Sequence, residues 1–382
     1  MESSGRFFAN PTKPLLTIDP NQVLLASLDR ITTYNPLVHT CSTGWTFHGF
    51  YSDPTSIAYL FYRLSLLFSD LEFKRQALID WAQAYLDLSI RLQKKPPDPS
   101  NCGIANEGLA YMALSAVMMQ DASIAQNICD YEKPLNDGPR SKECSNEWLY
   151  GRAGYLYFLR LCRTVFKDWR TAAVLDTAID KTIRRIICVP QPWTWYGKEY
   201  FGAAHGTIGT ICQIVLSRPF MAPQIRNLLS GLLDEQYESG NFPSSAGSDS
   251  DKLVQFCHGG PGFLISLRSL APHFPELRKK IEGVIKKAAD DTWERGLLTK
   301  KPCLCHGIAS NALALDCDEG EEKFMHFLSF MSTESMEKMD WMRDAGRDDE
   351  FVGLYTGEGG RAWAWGVAVK KGDRVCIGYN DI

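Results

Sequence analysis

Apolar residues recur along the chain in runs that each follow a short turn rich in glycine. The five clearest turns are spaced by 55, 53, 48 and 50 residues, and their first glycines are Gly151, Gly206, Gly259, Gly307 and Gly357. Two weaker copies lie upstream and begin at Gly49 and Gly103. Self-similarity at a period of about fifty residues is typical of repeat architectures in which each unit is one supersecondary element. The pattern predicts seven such units, which together account for nearly the whole chain.

Two kinds of helix alternate in this pattern. The runs after the glycine turns lack a polar face, as expected of helices that are buried all round. The segments between them have apolar residues at three- and four-residue spacing, which predicts amphipathic helices; these segments are Leu64 to Leu92, Trp169 to Ile187, Pro223 to Gln236 and Pro275 to Thr292. Inner apolar helices alternating with outer amphipathic ones predict an all-α fold, a seven-fold α/α toroid built as a double helical barrel of about seven helical hairpins.

An open helical solenoid is the alternative architecture for the same repeats. The polar residues gathered at the glycine turns favour a closed ring, in which these turns would converge at one mouth. We expect a single domain, in which residues 1–40 form an N-terminal segment with the first outer helix and residues 41–382 form the toroid.

Composition limits the classes of partner. The 382 residues carry a formal net charge of −4, with 45% hydrophobic and 23% charged residues. Basic clusters are short, at Lys279-Lys280 and Lys286-Lys287, and a solvated helix face explains them. Because a protein that neutralises phosphates normally carries a basic stripe, we expect no nucleic-acid partner.

The N-terminus and the cysteines bear on location. Met1 to Leu16 contains no apolar leader, and no segment reaches about 18 consecutive apolar residues. We therefore expect a cytoplasmic protein with no transmembrane segment, while peripheral membrane contact stays open. In a reducing compartment most of the twelve cysteines should be small core residues. We expect buried free thiols at Cys41, Cys129, Cys162, Cys188, Cys212, Cys317 and Cys376.

Three glycine turns carry residues that bind metals. Cys257-His258 and Cys305-His306 precede the turn glycines of adjacent repeats, and His205 precedes the glycine of the repeat before them. Thiolate and imidazole are preferred zinc ligands, and three protein ligands with one open position are typical of a catalytic zinc site. Spacings of the zinc-finger kind are absent, which argues against a closed structural site. The alternative is that the Cys-His pairs are buried caps of helix ends.

Four motifs resemble those of the lanthionine synthetase C-like (LanC-like) family. Residues 195–206, which end in Ala203-Ala204-His205-Gly206, are similar to the family's AAHG segment with its aromatic lead-in. Cys257-His258-Gly259-Gly260-Pro261-Gly262 resembles its CHGxPG motif, and Cys305-His306-Gly307 resembles its second CHG motif. The stretch from Glu147 to Tyr155 resembles an acidic-xxxGRxGY segment. The resemblance spans almost the entire chain and implies a seven-fold double helical barrel with one zinc at its mouth.

The resemblance also implies roles for individual residues. The zinc ligands would be Cys257, Cys305 and His306, whereas His258 stands in the motif without being an expected ligand. His205 would lie near the metal as general acid or base, and Glu147 matches an acidic position near the reaction centre. For Glu147 the alternative is an exposed carboxylate at a helix start, favoured by the helix dipole.

One departure from the bacterial cyclases shifts the expected substrate. These enzymes have an arginine shortly before the first zinc cysteine, but residues 252–256 here contain none. The chain therefore resembles the eukaryotic branch, which implies glutathione binding and its addition to dehydrated residues of proteins or peptides. Arg6, in a stretch similar to the family's N-terminal RxFxNP, and Lys300, five residues before Cys305, would hold the glutathione carboxylates. A flexible terminus and a solvated lysine are the alternatives.

The implied chemistry is a Michael-type thiol addition. Zinc favours the thiolate, which is the nucleophilic form of a thiol, and the thiolate would attack the β-carbon of dehydroalanine or dehydrobutyrine. The resulting enolate needs charge stabilisation and a proton on its α-carbon. We expect His205 to supply that proton, with Tyr200 and Glu147 as weaker candidates.

Five tryptophans and one loop near the turns are further features of the predicted mouth. Most of the tryptophans there should fill the core, and Trp195 alone is a candidate for lining the substrate site; the set is Trp148, Trp193, Trp195, Trp363 and Trp365. Residues 234–251 are expected to form a loop that approaches the mouth and could contact a peptide.

Three rival functions follow from the same sequence. The first is a non-catalytic adaptor that binds zinc and glutathione. The second is a toroidal glycosidase, which would need two carboxylates across the reacting bond; its loose candidates are Glu107, Glu147 and Glu358. The third, a membrane receptor, conflicts with the lack of a spanning segment.

Overall fold

The computed structural model describes residues 5–10, 18–38, 48–52, 54–90, 96–315, 321–339 and 353–382. In these ranges the chain forms sixteen α-helices: α1 (Pro20–Tyr34), α2 (Pro54–Leu67), α3 (Leu78–Ile90), α4 (Glu107–Met119), α5 (Ala122–Cys129), α6 (Glu132–Asn136), α7 (Arg152–Val165), α8 (Trp169–Cys188), α9 (Thr207–Ser217), α10 (Ala222–Leu233), α11 (Gly260–Leu270), α12 (Arg278–Arg295), α13 (Ile308–Ala314), α14 (Glu321–Ser329), α15 (Thr333–Lys338) and α16 (Glu358–Lys370). One antiparallel hairpin pairs β1 (Glu72–Phe73) with β2 (Gln76–Ala77). Single 3₁₀ turns occupy Ser141–Glu143, Pro219–Met221, Ala271–His273 and Pro275–Leu277.

Seven of these helices form a closed inner ring. Each contacts the next in the order α2, α4, α7, α9, α11, α13 and α16, and α16 contacts α2. One outer helix packs against each inner helix: α3 on α2, α5 on α4, α8 on α7, α10 on α9, α12 on α11, α14 on α13 and α1 on α16. The last hairpin is thus made from the N-terminal and C-terminal helices. The predicted seven-fold α/α toroid is confirmed, and the open solenoid is wrong.

Burial separates the two layers as the sequence pattern predicts. Every residue of α9 from Thr207 to Val215 is buried. In the outer helix α8, the buried residues recur at three- and four-residue spacing, so that only one face meets the core; they are Thr171, Ala172, Leu175, Ala178, Ile179, Thr182, Ile183 and Ile186.

At four of the five clear turns, the glycine three residues after the first lets an inner helix pack directly on backbone, whereas the turn before α13 has Ser310 at this position. A Cβ at Gly209 would lie 2.1 Å from the carbonyl oxygen of Ala203, and a Cβ at Gly262 would lie 2.1 Å from that of Phe256. Gly154 and Gly360 make the same approach to the carbonyl six residues before them. Only glycine allows this contact, because any side chain would overlap the oxygen.

Hydrogen bonds between turns bring the predicted metal-binding residues to one end of the ring. The amide of Cys257 donates to the carbonyl of Cys305, and the amide of Cys305 donates to that of Tyr355. Tyr355 in turn donates to Tyr51, which is the equivalent position of the first, weak repeat. Leu149 donates to Ala204 in the same way. Adjacent turns therefore have a fixed register, and the residues beside each turn glycine converge.

Two expectations need correction. Leu64 to Leu92 is not one helical segment: it contains the end of α2, the β1–β2 hairpin and α3, because Lys74 and Arg75 adopt left-handed conformations with φ of 50° and 62°. The expectation of buried thiols is confirmed for Cys162, Cys212 and Cys376. It is wrong for Cys188, which is exposed, and only partly right for Cys129, which is half-buried. Cys41 and Cys317 lie outside the described residues.

The surface agrees with the composition. Lys279, Lys286 and Lys287 are exposed on α12, as expected of a solvated helix face. Within the described ranges, no helix combines the length and apolar character needed to cross a membrane.

Candidate metal centre

Two cysteines and one histidine form a cluster at the mouth of the ring. The Sγ atoms of Cys257 and Cys305 and a ring nitrogen of His306 all lie within 4.8 Å of one another. The two cysteines are 7% and 5% exposed. Two thiolates and one imidazole at this separation suit the tetrahedral coordination of zinc and leave one position for another ligand. The three predicted ligands therefore come together in a geometry that fits the metal.

Cys303, from the same turn as Cys305, and Tyr51, from another turn, both contact this cluster. The sulfurs of Cys303 and then Cys305 hydrogen-bond the His306 ring and raise its pKa to about 11, so they favour a positive charge there. Burial first, and then the neighbouring Cys305, raises the pKa of Tyr51 above its ordinary value. The Tyr51 hydroxyl therefore keeps its proton and can donate it to the Cys305 sulfur.

His205 and Glu147 form a hydrogen-bonded pair at the neighbouring turns. The Nδ1 atom of His205 lies 3.0 Å from Oε2 of Glu147. The Glu147 carboxylate is buried, and it also accepts hydrogen bonds from the amides of Leu149 at 2.8 Å and Tyr150 at 2.6 Å and from the hydroxyl of Ser145 at 3.2 Å. Because the carboxylate accepts a hydrogen bond from Nδ1–H, the neutral imidazole has its proton on Nδ1, and the unprotonated Nε2 faces away from Glu147. Glu147 is therefore an internal partner of His205 rather than an exposed helix-start carboxylate.

Two aromatic rings that stack on each other also pack against His205. Trp195 stacks on the imidazole with ring centroids 4.0 Å apart and planes within 5°. The Tyr150 ring lies 6.0 Å from His205, and Cys305 is among the groups that raise the pKa of Tyr150, after burial and Glu147. Tyr150 thus packs near His205 and is close enough to Cys305 to feel the charge of its sulfur.

Tyr200 and His258 complete the aromatic group. The Tyr200 ring lies 6.0 Å from His205 and 5.6 Å from His258. Burial lowers the pKa of His258 to about 4, so this imidazole is neutral at physiological pH. The loop after α10 approaches the same group, because Ser245 forms a bridge with Tyr200.

Lys300 is linked to the cluster through one side chain. Its Nζ lies 3.3 Å from Oε1 of Gln255, whose Nε2 lies 3.1 Å from Sγ of Cys257. Arg6 reaches the same region because residues 6–8 pair with residues 297–299: Phe8 donates to Leu297, and Thr299 donates to Arg6. Lys300 therefore has a defined contact beside the metal-binding thiol, while the Arg6 side chain is exposed and touches the Lys252 carbonyl at 3.3 Å.

Two clefts open near these groups. One, of about 530 Å³, is lined by Arg6, Lys252, Arg295 and Asp251 among other residues. The other, of about 340 Å³, has Trp195 and Tyr196 on one wall and residues 144–146, just before Glu147, on another. Tyr196 is 90% exposed. The second cleft therefore leads from solvent to the ring that stacks on His205.

The carboxylates required by a glycosidase are committed elsewhere in the fold. Glu107 accepts hydrogen bonds from Thr55 and from the amide of Gly49, and Glu358 binds Arg361 and Ser27. Both are buried and make internal contacts, so neither supplies a second reactive carboxylate next to Glu147.

The structure also identifies residues that the sequence analysis missed. Tyr51, Tyr150, Gln255 and Cys303 all contact the cluster or its immediate partners. Tyr51 could have been predicted from the sequence, because it lies in the first, weak copy of the repeat at the position equivalent to Cys305. The tryptophans behave as predicted: Trp148, Trp193, Trp363 and Trp365 are buried, and Trp195 is partly exposed at the site.

A closed ring of seven helical hairpins with a Cys-Cys-His cluster at its mouth defines a helical toroid with a candidate metal centre. The lanthionine synthetase C-like protein family matches this chain over residues 55–366. The chain belongs to that family.

Individual relatives agree with this assignment. The chain is 28% identical over 311 residues to a glutathione S-transferase, LANCL1, of Danio rerio, covering 76% of this chain and 72% of that protein. It is 28% identical over 273 residues to the LanC-like protein GCL1 of Arabidopsis thaliana, covering 65% of this chain and 61% of that protein. Among solved structures it is similar to nisin cyclase, with a TM-score of 0.62, 10% identity and coverage of 95% and 97% of the two chains. At that identity the structural likeness shows the fold alone.

Proposed function

We propose that this protein adds glutathione to dehydroalanine or dehydrobutyrine residues of proteins or peptides, forming a thioether with the help of one zinc ion. The observation that carries the proposal is the position of the Cys257–Cys305–His306 cluster next to the His205–Glu147 pair at one mouth of the ring. A thiol-activating site and a proton donor on adjacent turns are what such an addition requires. The name of the Danio rerio relative supports glutathione as the thiol.

The metal would be held by Cys257, Cys305 and His306. Zinc with two thiolates and one imidazole leaves a position for a substrate sulfur and favours the thiolate form of that sulfur. Tyr51 keeps its proton next to Cys305 and stabilises the charge on that ligand.

His205 is the proton donor. Addition of the thiol to the β-carbon of the dehydrated residue makes a carbon–sulfur bond and leaves negative charge on the neighbouring carbonyl oxygen. His205, oriented by Glu147, takes the proton that the thiol loses onto Nε2 and then gives it to the α-carbon, so the thiol hydrogen and sulfur both end in the product and no group leaves. Proton transfer by a positioned side chain typically accelerates a reaction about 10²–10⁴-fold.

Glutathione is bound by the cationic side of the mouth. Lys300 is connected to Cys257 through hydrogen bonds of the Gln255 side chain, and Arg6 lines the cleft of about 530 Å³. Ammonium and guanidinium groups here suit the two carboxylates of the tripeptide, since charge-assisted hydrogen bonds are roughly twice as strong as neutral ones. The dehydrated residue would enter through the other cleft, past Trp195.

The first test measures zinc and glutathione binding in wild type and in Cys305→Ala. We expect about one zinc per wild-type chain, as for a single three-ligand site, and loss of both zinc and tight glutathione binding in the variant. A folded wild type that binds no zinc after metal reconstitution would contradict the proposal.

The alternative is a non-catalytic adaptor that binds zinc and glutathione. The two functions separate in His205→Gln, assayed on a dehydroalanine peptide by the mass gain of one whole glutathione. We expect this variant to keep its zinc and its glutathione affinity and to lose thioether formation. Wild type that binds both ligands and never adds glutathione to the peptide would favour the adaptor.

A further inference from the structure

Two cysteines outside the metal-binding cluster lie side by side next to Glu147. The Sγ atoms of Cys102 and Cys144 are 3.4 Å apart, and both residues are free thiols with 0% and 7% exposure. They are 42 residues apart in the sequence and come together because the amide of Cys102 donates to the carbonyl of Tyr150. A disulfide needs the sulfurs at about 2.0 Å, so an approach of about 1.4 Å would join them.

The pair is reachable from solvent on one side. Cys144 lines the cleft of about 340 Å³ that also contains Trp195 and Tyr196, whereas Cys102 lies behind it. A hydrogen bond from Cys102, and then the charge of Arg152, lowers the pKa of Cys144. By contrast, burial raises the pKa of the core thiols Cys162 and Cys376. Cys144 therefore has the position of an attacking sulfur at the cleft wall, its lowered pKa favours the attacking thiolate form, and Cys102 is placed to resolve a mixed disulfide.

The segment that carries Cys144 also positions the proposed reaction centre. Ser145, the next residue, donates to Glu147, and its carbonyl accepts from the amide of Arg152. The Arg152 guanidinium donates to the Cys144 carbonyl at 2.7 Å. These contacts link Cys144, over three residues, to the carboxylate that orients His205, so we expect a shift of Cys144 toward Cys102 to move that carboxylate.

We propose that Cys102 and Cys144 are a redox-active dithiol, which a soluble disulfide such as oxidised glutathione converts to an intramolecular disulfide that displaces Glu147 and slows thiol transfer. Cys144 attacks the soluble disulfide, whose S–S bond breaks and releases one thiol. Cys102 then attacks the Cys144 sulfur and releases the second thiol. The two protein thiols give up two electrons and two protons, and the soluble disulfide becomes two thiols. The effect on rate rests on the proposed function, whereas formation of the disulfide does not.

Peptide mapping after differential alkylation tests the chemistry without any activity assay. Zinc-loaded protein is treated with oxidised glutathione, and the disulfide is mapped in wild type, Cys102→Ala, Cys144→Ala and Cys188→Ser. We expect the Cys102–Cys144 link in wild type and in Cys188→Ser. The second variant is the matched control, because it removes an exposed thiol that is not part of the pair. Neither of the other variants should form an intramolecular link. Because Cys102 is fully buried, Cys144→Ala at the cleft wall provides the same test if Cys102→Ala does not fold.

Two results would overturn the dithiol: both thiols still open to alkylation after oxidation, or a link that joins other cysteines while zinc is retained. Rate measurements test the coupling. A displacement of about 1 Å at a catalytic group can reduce the rate about 10²-fold, so we expect a loss approaching this size that dithiothreitol reverses and that both alanine variants lack. A mapped disulfide with an unchanged rate would refute the coupling to Glu147. Reduced wild type with no transfer activity would refute the proposed function, and the mapping would still decide the dithiol.

Discussion

The hydrogen bonds of Glu147 allow the effect of a single isosteric substitution to be worked out. One oxygen of its carboxylate accepts from Leu149 and His205, and the other accepts from Tyr150 and Ser145. Glu147→Gln replaces one of these oxygens with an NH₂ group. Whichever way the amide turns, one buried backbone N–H then faces a donor, so one charge-assisted hydrogen bond is lost.

This loss has two separable consequences. An unsatisfied buried backbone group costs about 1–3 kcal/mol, so the free energy of unfolding should fall by that amount. In either orientation of the amide, His205 loses the negative charge that stabilises its protonated form, so the contribution of a positioned general acid, about 10²–10⁴-fold, should disappear from kcat. Zinc content and the affinity for glutathione should stay at the wild-type level, because neither Cys257, Cys305, His306 nor Lys300 is a hydrogen-bond partner of Glu147.

The assay is single-turnover addition of glutathione to a dehydroalanine peptide, with zinc content and urea unfolding measured on the same sample. Ser145→Ala is the matched control, since it removes only the 3.2 Å hydrogen bond from the Ser145 hydroxyl and leaves the carboxylate and its other partners in place. Its stability should change by about 0.5–1.5 kcal/mol, and its rate should change far less than that of Glu147→Gln. A Glu147→Gln variant with wild-type kcat would refute the assigned role of the carboxylate.

Three further outcomes test the fold and the binding site. Gly209→Ala should lower the free energy of unfolding by about 1–3 kcal/mol or more through overlap with the Ala203 carbonyl, whereas Gly283→Ala, at an exposed helix position with open space, should raise it by about 0.5–1 kcal/mol in the same urea titration. Burial raises the pKa of Asp291 to about 6 although Arg295 pairs with it, so the folded protein holds a proton that the unfolded chain releases near pH 4. The contribution of this group to the free energy of unfolding should fall by up to about 3 kcal/mol as the pH rises through this window, and the difference between wild type and Asp291→Asn in urea titrations measures it. Lys300→Met should weaken glutathione binding about tenfold in calorimetry without loss of zinc. An unchanged Kd would show that Lys300 does not bind glutathione.

The inner layer of the fold could be predicted from sequence because its determinant is local. A helix that packs directly on a carbonyl needs glycine at that point, so glycine pairs marked the starts of α7, α9, α11 and α16, and the period of about fifty residues marked the other three inner helices. The pairing of α1 with α16 had no such mark. The cap of α1 is Asp19 rather than a glycine, and packing across the whole ring decides where this helix goes.

The candidate site divides in the same way. The Cys-His dipeptides at the same place in two repeats indicated a metal site, and the resemblance to the LanC-like motifs selected Cys257, Cys305 and His306 as its ligands. The hydrogen bond between Glu147 and His205 could not, since the two residues are 58 positions apart and meet only through the register between adjacent turns. The proximity of Cys102 to Cys144 depends on that register as well, and no spacing rule indicates it.

The closing hairpin also determines when the ring can form during synthesis. Ser27 on α1 and Glu358 on α16 contact each other across 331 positions of the chain. A ribosome that has made the first six inner helices has thus produced an arc with an unpaired helix at its start and no partner for the apolar face of that helix. Such long-range closure is slow, and it leaves hydrophobic surface exposed in the meantime. A nascent chain that stops before α16 should therefore be a substrate for chaperones rather than a smaller folded protein.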